Sequence, residues 1–329
     1  MDNSSSAYIS IVMPTRNRPE LLSRALHAIQ AQSYKNFEVI VIDDGSDKKT
    51  QAVYDEIWLN LDGRFIRHTL ASSGEKGYGP SIARNLGLSL AQGSIVTFCD
   101  DDDFWTSDTH LNDMAAVFTA HPEVDIYIAN QTGVSPRGTE IHDWFPALTS
   151  KLKIRSKSGK ACGLVSVQDL CEAGGFAHLN ILSVRKSVID RAGDFWERIS
   201  YEEDRDFFWR AVDCGRAIYF NAEIIGQHNI PDPQKKENQS TQHSVVERLL
   251  LSALVCQHIA TSVKHQAISS LARRYEGDIL RRLALHFAGS GKPALGFAFA
   301  RQALSARFSL KWSGYMALLG IKSLLTGTA

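Results

Sequence analysis

Short apolar, β-branched runs alternate with amphipathic stretches through the first 130 residues. YISIVM (8–13) is almost wholly apolar and stops at Pro14, the pattern of a strand buried on both faces. PELLSRALHAIQAQ (19–32) has apolar residues at 21, 22, 25, 26 and 29, with a proline where a first helical turn tolerates it, and predicts a helix. FEVIVID (37–43) is a second buried strand, cut off by an Asp-Asp-Gly-Ser turn. Residues 50–61 read as a helix, 64–70 as a third strand, 72–80 as a glycine-rich loop and 81–93 as a helix ended by glycine. SIVTFCD (94–100) is a fourth strand running into acids, 111–119 is helical, and VDIYIAN (124–130) is a strand. This alternation predicts an α/β fold with a mostly parallel sheet flanked by helices. Ligands of such sheets bind beyond the carboxyl ends of the strands, where the polar turns fall here.

The middle is less regular. Residues 151–161 are basic and polar and read as a loop; 168–174 suggest a short helix. Residues 181–195 read as a strand leading into a helix. YEEDRDFFWRAVDCG (201–215) predicts a helix with acids in its first turn, where the helix dipole favours them. Residues 216–228 are strand-like, and 229–241 form a polar, proline-containing linker. From 245 onward four apolar-rich stretches predict a C-terminal α-helical appendix.

Composition changes this picture mainly through charge. The chain has 329 residues, enough for one large or two unequal domains with a core that needs no cross-links. Lys+Arg and Asp+Glu are each 36, which argues against a protein that coats nucleic acid. The zero is an average: residues 251–329 hold ten Lys/Arg and two acids, leaving the first 250 residues at −8 and the tail at +8. Five cysteines without a CxxC suggest neither a disulfide framework nor a zinc site. The N-terminus lacks signal-peptide features and no run of 18 apolar residues occurs, so a cytoplasmic protein is expected, with peripheral membrane contact left open.

Candidate chemistry lies at the strand ends. Four consecutive carboxylates, Asp100 to Asp103, repel one another and call for solvent or a hard cation such as Mg²⁺ or Mn²⁺. In an extended segment Asp100 and Asp102 point the same way. Asp43 and Asp44 suit a base N–H or ribose hydroxyl, or else cap the next helix. Pro14, Thr15, Arg16 and Asn17 form a third polar loop after a strand. Arg84 suits a diphosphate, or one of the carboxylates. The 72–80 loop lacks both GKS/T and GxGxxG. A second acidic cluster, Glu202-Glu203-Asp204 with Asp206, can take a proton from an attacking hydroxyl. His228 can ligate a metal, hold a phosphate, or simply pack.

IVMPTRN, VIVIDDGS, SIARNLGLSLAQGSIVTFCDDDD and EEDRDFFWRAVDCG, in that order, resemble the family 2 glycosyltransferases of GT-A fold across about residues 8–228. The resemblance implies a nucleotide-sugar donor, transfer with inversion, and a divalent cation, Mn²⁺ or Mg²⁺. It implies a catalytic domain over 1–240, with a nucleotide-sugar half at about 8–130 and an acceptor half at about 131–240, followed by the basic helical region 241–329. Pro14, Thr15, Arg16, Asn17, Asp43, Asp44, Arg84, Asp100 and Asp101 would contact the nucleotide-sugar. Asp100 and Asp102, with His228, would hold the metal. Asp103, Arg185 and Arg210 would serve acceptor or phosphate, and Gly174, Gly175 and Phe176 would lie near them. Asp204, beside Glu203, would be the base. Two departures stand out: position 101 is Asp where Ser or Ala is common, and Glu202 adds a third acid to the second motif. The implied acceptor is a glycan or lipid-linked saccharide, and no nucleic acid. The alternatives are a nucleotidyltransferase-like enzyme and a catalytically silent binding or assembly protein of the same fold. The basic tail fits either an anionic lipid surface or a homodimer through 243–329.

Overall fold

The computed structural model describes residues 7–71, 77–155, 161–232, 234–235 and 239–326. Residues 72–76 of the expected glycine-rich loop lie outside this set, as do 156–160, 233 and 236–238 of the two other expected loops. In chain order the elements are β1 (Ile9–Thr15), α1 (Pro19–Gln30), β2 (Phe37–Asp43), α2 (Lys48–Trp58), β3 (Phe65–Thr69), α3 (Pro80–Leu90), β4 (Ile95–Phe98), β5 (Phe104–Trp105) and α4 (His110–Ala120). They continue with β6 (Val124–Ser135), β7 (Gly138–Ile141), α5 (Pro146–Arg155), β8 (Cys162–Val165), α6 (Val167–Ala173), β9 (Leu182–Arg185), α7 (Lys186–Ala192), α8 (Glu203–Cys214) and β10 (Ala217–Asn229). Among the described residues beyond 232 the helices are α9 (Gln239–Gln242), α10 (Val245–Ser262), α11 (Gln266–Gly289), α12 (Pro293–Ala306) and α13 (Leu310–Thr326).

The chain divides into two compact units. Residues up to Arg198 and Arg210–Asp232 form the first; Ile199–Trp209 and the helices beyond 233 form the second. The first unit holds one sheet in the order β3-β2-β1-β4-β9-β6-β10-β5, with β7 on β6 and β8 on β10. From β3 to β4 the strands are parallel, as the βα alternation requires. Beyond β4 the sheet is mixed, because β9 runs antiparallel to both β4 and β6. Parallel pairing is thus less general than the sequence suggests, and the reason is local. Hydrophobic pattern fixes which segment is a strand but not its direction. The sequence reading also missed β5, β7, β8 and α5, which occupies 146–155 where a basic loop was expected from 151. Two-residue β5 is too short for any periodicity, and the burial of α5 rests on Leu148, Thr149 and Leu152 among basic residues.

β1 and β2 are buried along nearly their whole length, which explains their unbroken apolar runs. Their polar exceptions are paired. Ser10 donates to buried Glu38 at 2.6 Å, and Glu38 accepts from the Gln92 N–H at 2.8 Å. The Gly93 N–H donates to the Ser10 hydroxyl at 2.8 Å. A Cβ on Gly93 would lie 2.6 Å from the Ser10 nitrogen and 2.7 Å from the Tyr8 oxygen, both backbone atoms that cannot step aside. Gly93→Ala is therefore expected to cost about 1–3 kcal/mol of stability, as overpacking generally does. Urea denaturation checks it, and an unchanged midpoint would refute the close approach of β1 to this turn.

In the second unit Ser244 and Glu247 form a capping box that starts α10. Leu249, Cys256, Ile279, Leu280, Leu283 and Ala303 form one apolar cluster, and Ala284, Ala300 and Leu319 another. Each of α10 to α13 packs on the next. His258 of α10 meets buried Asp206 at 2.6 Å. Among the described residues no helix is long and apolar enough to cross a membrane.

Candidate active site

Three loops leave the carboxyl ends of β1, β2 and β4 side by side, because those strands are adjacent and parallel. The β4 loop carries the four acids. Asp101 turns inward: its oxygens accept from the Thr15 hydroxyl at 2.8 Å and from Arg18 at 3.0 Å. Arg18 also reaches Asp102 at 3.1 Å. Asp101 therefore ties the β4 loop to the β1 loop. Tyr54 of α2 braces the same point, 3.1 Å from both the Thr15 hydroxyl and the Arg18 N–H.

Asp100, Asp102 and Asp103 face one another, with one oxygen from each inside a 4.8 Å group. Arg84, buried on α3, donates to Asp100 at 2.6 Å. Burial disfavours the Asp100 charge, but Arg84 and the nearby histidines hold its carboxyl below the ordinary range. Asp102 goes the other way. Burial, then the charges of Asp103 and Asp101, push it up to about 8. Two arginines thus fall short of balancing these carboxylates.

Asp103 is buried and accepts from the Asn229 N–H at 2.8 Å. His228, at the end of β10, lies 3.0 Å away and His178 3.5 Å away. Asp103, His178 and His228 form a second group with ligating atoms within 4.8 Å. The two imidazole rings lie 4.2 Å apart, with Trp144 edge-on to both. Burial and the neighbouring His228 pull His178 down to about 4. Burial also opposes charge on His228, but Asp103 outweighs it and raises its pKa. Carboxylates beside two imidazoles, of which His178 is held neutral, suit Mn²⁺ or Mg²⁺ through oxygen, with nitrogen donors that favour Mn²⁺. The residues present therefore fit a divalent cation.

Asp43 and Asp44 end β2. One Asp43 oxygen accepts from the Ser46 N–H at 2.9 Å. The other is buried without a partner among the described residues. Asp44 accepts from the N–H groups of Tyr78 and Gly79, both at 2.8 Å. This grip needs glycine at 77, where φ is +69° and a Cβ would lie 2.4 Å from the Asp44 carboxylate. Asn17 adopts a left-handed φ of 53°, with its N–H on the Ser46 hydroxyl at 2.9 Å and its side-chain oxygen accepting from the Asp47 N–H. Arg16 lies close enough to Asp44 to counter its charge. Pro14 is the penultimate residue of β1.

The remaining expected residues are placed differently. Arg185 sits beside Ile95, at the start of β4 rather than the end that bears the acids. It donates to the carbonyls of Val124 at 2.7 Å and Phe118 at 3.0 Å. Arg210 donates to the carbonyls of Ala192, Gly193 and Asp194. Both arginines are thus engaged with backbone carbonyls, and Arg185 lies away from the acidic group. Glu203 and Asp204 belong to the second unit and form the first turn of α8, where Asp204 accepts from the Arg205 N–H at 2.8 Å. Arg18, Tyr54, Trp144 and His178 were not anticipated. Arg18 directly follows the PTRN loop, which was the only available signal. His178 lies in an irregular stretch that carries none.

Residues 10–171 match the family described as Glycosyl transferase family 2. The match takes in 162 of the 329 residues, and it is this part of the chain that carries the family's sequence pattern. The matched span contains the β1 loop, Asp43, Asp44, Arg84 and the acidic turn, whereas Glu203, Asp204, Arg210 and His228 lie beyond it. A family relative from Campylobacter jejuni, GalNAc(5)-diNAcBac-PP-undecaprenol beta-1,3-glucosyltransferase, is 40% identical over 95 residues, 29% of each chain. The chain spans between 29% and 38% of the length of the first curated relatives it matches. Among solved structures, Staphylococcus aureus TarS 1–349 in complex with UDP-GlcNAc aligns with a TM-score of 0.68 at 18% identity, covering 96% of this chain and 88% of that one. The mannosyltransferase PcManGT of Pyrobaculum calidifontis, in complex with GDP-Man and Mn²⁺, aligns with a TM-score of 0.56 at 17% identity, covering 98% and 88%. Both share the fold.

Proposed function

We propose that this chain moves a sugar from a nucleotide-sugar, a UDP-sugar in the first instance, to a hydroxyl of a glycan or lipid-linked saccharide, with inversion and with a divalent cation. The observation that carries the reading is the acidic group Asp100, Asp102 and Asp103, undercompensated by Arg84 and Arg18, at the carboxyl end of adjoining parallel strands. A Mn²⁺ or Mg²⁺ held by these carboxylates, with His228 as nitrogen donor, would offset the charge developing on the departing nucleoside diphosphate. The unpartnered oxygen of Asp43 supports a contact to the base or ribose. Arg16 and Asn17 border that position, and Arg84 is placed to share its donors between Asp100 and the diphosphate. Asp204 takes the proton from the acceptor hydroxyl as it attacks the anomeric carbon from the face opposite the leaving group. One displacement then inverts the configuration, and no covalent sugar–enzyme bond is needed.

Names support the same reading. The Campylobacter relative is named for an undecaprenol-linked substrate, and the two solved relatives are described with a UDP-sugar or with a GDP-sugar and Mn²⁺. A screen of nucleotide-sugars for released nucleoside diphosphate tests the proposal. Release of pyrophosphate instead would indicate nucleotidyl transfer. No release, together with no thermal stabilisation by any nucleoside diphosphate plus Mn²⁺, would leave a silent member of the fold.

Arg18 gives a sharper test. It holds Asp101 and Asp102 in place without belonging to the acidic group. Arg18→Ala is expected to weaken Mn²⁺ by about 10–100-fold, the usual effect of removing a residue that orients a ligand. Metal titration of donor hydrolysis measures it, and an unchanged Mn²⁺ dependence would remove Arg18 from the site.

For the helical region 241–329, treated as a unit apart from the catalytic domain 1–240, two partners fit. On α13, Leu318, Ile321 and Leu325 share one helix face by spacing, and all are exposed beside Lys322. An anionic membrane surface would cover that face and attract the cations; a second copy of the chain would cover it without lipid. Vesicle flotation at low and high salt, with sedimentation in parallel, separates the two.

A further inference from the structure

The second unit contains a cavity of about 420 Å³ that the proposed reaction does not use. Its walls come from the segment before α8 and the first turn of that helix, from α10 and from α11, and its polar lining is dominated by Arg205, Arg248 and Arg282 with Tyr201 and Tyr275. Two carboxylates also line it, and each has an arginine nearby, although one Glu202 oxygen is buried without a hydrogen-bond partner among the described residues. Glu202 lies 3.3 Å from Arg205, and Asp278 lies 3.1 Å from Arg281 and 3.7 Å from Arg307. Among the described residues Arg248 and Arg282 have no side-chain hydrogen bond or ion pair, so the cavity keeps surplus positive charge. The Ser252 hydroxyl, also buried on the wall, is engaged by Glu202. Glu202 holds a left-handed φ of 60°, a conformation that a non-glycine residue adopts only when its surroundings impose it.

We propose that this cavity binds a phosphate or diphosphate group of a phosphorylated ligand, separately from the donor nucleotide. Guanidinium groups bind phosphate oxygens through paired N–H donors and stay charged at any physiological pH. Tyrosine hydroxyls supply further donors while their rings line the wall. The volume lies within the range of small-molecule sites and exceeds what a lone ion fills. Glu202 borders the cavity and is followed at once by Glu203 and Asp204, so the ligand is assigned to the acceptor side; that assignment rests on the reading of Asp204 as the base. The shared chemistry has two sources: a lipid-linked diphosphate, or a soluble phosphorylated molecule.

The test uses the full chain in EDTA, with inorganic pyrophosphate and farnesyl diphosphate as probes in calorimetry. Pyrophosphate is expected to bind saturably. The double variant Arg248→Ala/Arg282→Ala is expected to weaken it by about tenfold or more, as loss of two charged donors should. Arg248→Lys/Arg282→Lys should recover part of the binding. Tighter binding of farnesyl diphosphate, competed by pyrophosphate, assigns the lipid-linked source; equal affinities assign the soluble one. Binding of UDP with Mn²⁺, measured in parallel, should be unchanged in the double variant. If pyrophosphate binds but UDP with Mn²⁺ does not, the cavity stands and the catalytic reading falls. No pyrophosphate binding by the wild type, or equal affinity in the alanine variant, overturns the proposal.

Discussion

Asp204→Asn is expected to lower sugar transfer by about 10²–10⁴-fold, the range that general-base groups contribute. Binding of UDP and Mn²⁺ should be unaffected, because the proposed donor contacts come from the β1, β2 and β4 loops. Asparagine matches aspartate in size and can still accept the Arg205 N–H that Asp204 holds at 2.8 Å. What it cannot do is take up a proton. The first turn of α8 is a favourable place for an anionic base, since the positive end of the helix dipole stabilises negative charge there. Glu203 occupies the same turn and is the obvious competitor. Glu203→Gln is expected to cost far less, and pre-steady-state product formation would rank the two. If Glu203→Gln is the crippled variant, the base is Glu203. If both variants turn over normally, the base is elsewhere and the mechanism fails.

Much of the proposed donor side could be read from the chain because its residues are consecutive. Four acids after an apolar strand, or two after FEVIVID, need no tertiary information to be noticed. The helical tail was equally legible, since its four helices carry their own apolar periodicity. What escaped was chemistry assembled from distant segments. Arg18 reaches Asp101 and Asp102 only because β1 and β4 are neighbours. His178 meets Asp103 and His228 only because β9 inserts beside β4 and β6, in a direction no hydrophobic pattern reveals. The same insertion explains Arg185. A cation at the end of a predicted strand resembles a ligand-binding residue, yet the reversed direction of β9 carries it to the opposite end of the sheet. Arg210 shows another limit: a charged residue on an otherwise buried helix face spends its donors on the Ala192–Asp194 carbonyls. Spacing along the chain cannot separate that structural use from a catalytic one.

Asp102→Ala is expected to separate activity from stability at the acidic turn. Transfer should fall by at least about 10²-fold and no longer respond to Mn²⁺, because the variant removes one of three carboxylates proposed to grip the cation. The metal-free protein should behave in the opposite sense. Burial and the adjacent acids raise Asp102 to about 8 in the folded chain, well above its ordinary value of 3.8. An acid raised by folding binds its proton more tightly when native, so the unfolded chain releases protons that the folded one keeps. Its effect on stability is therefore nil below about pH 3.8 and grows increasingly unfavourable up to about pH 8, then levels off. Arg18 already offsets part of the same charge, at 3.1 Å. Without metal, Asp102→Ala should thus melt higher than the wild type at pH 8 and nearly level with it at pH 4. With saturating Mn²⁺ and UDP the order should reverse, since only the wild type gains ligand-linked stability. Thermal melts at the two pH values, with and without these ligands, give all the comparisons. A variant that keeps the wild-type Mn²⁺ response would move the cation to Asp103, His178 and His228, and one that melts lower at pH 8 without metal would mean that the Asp102 charge is already compensated.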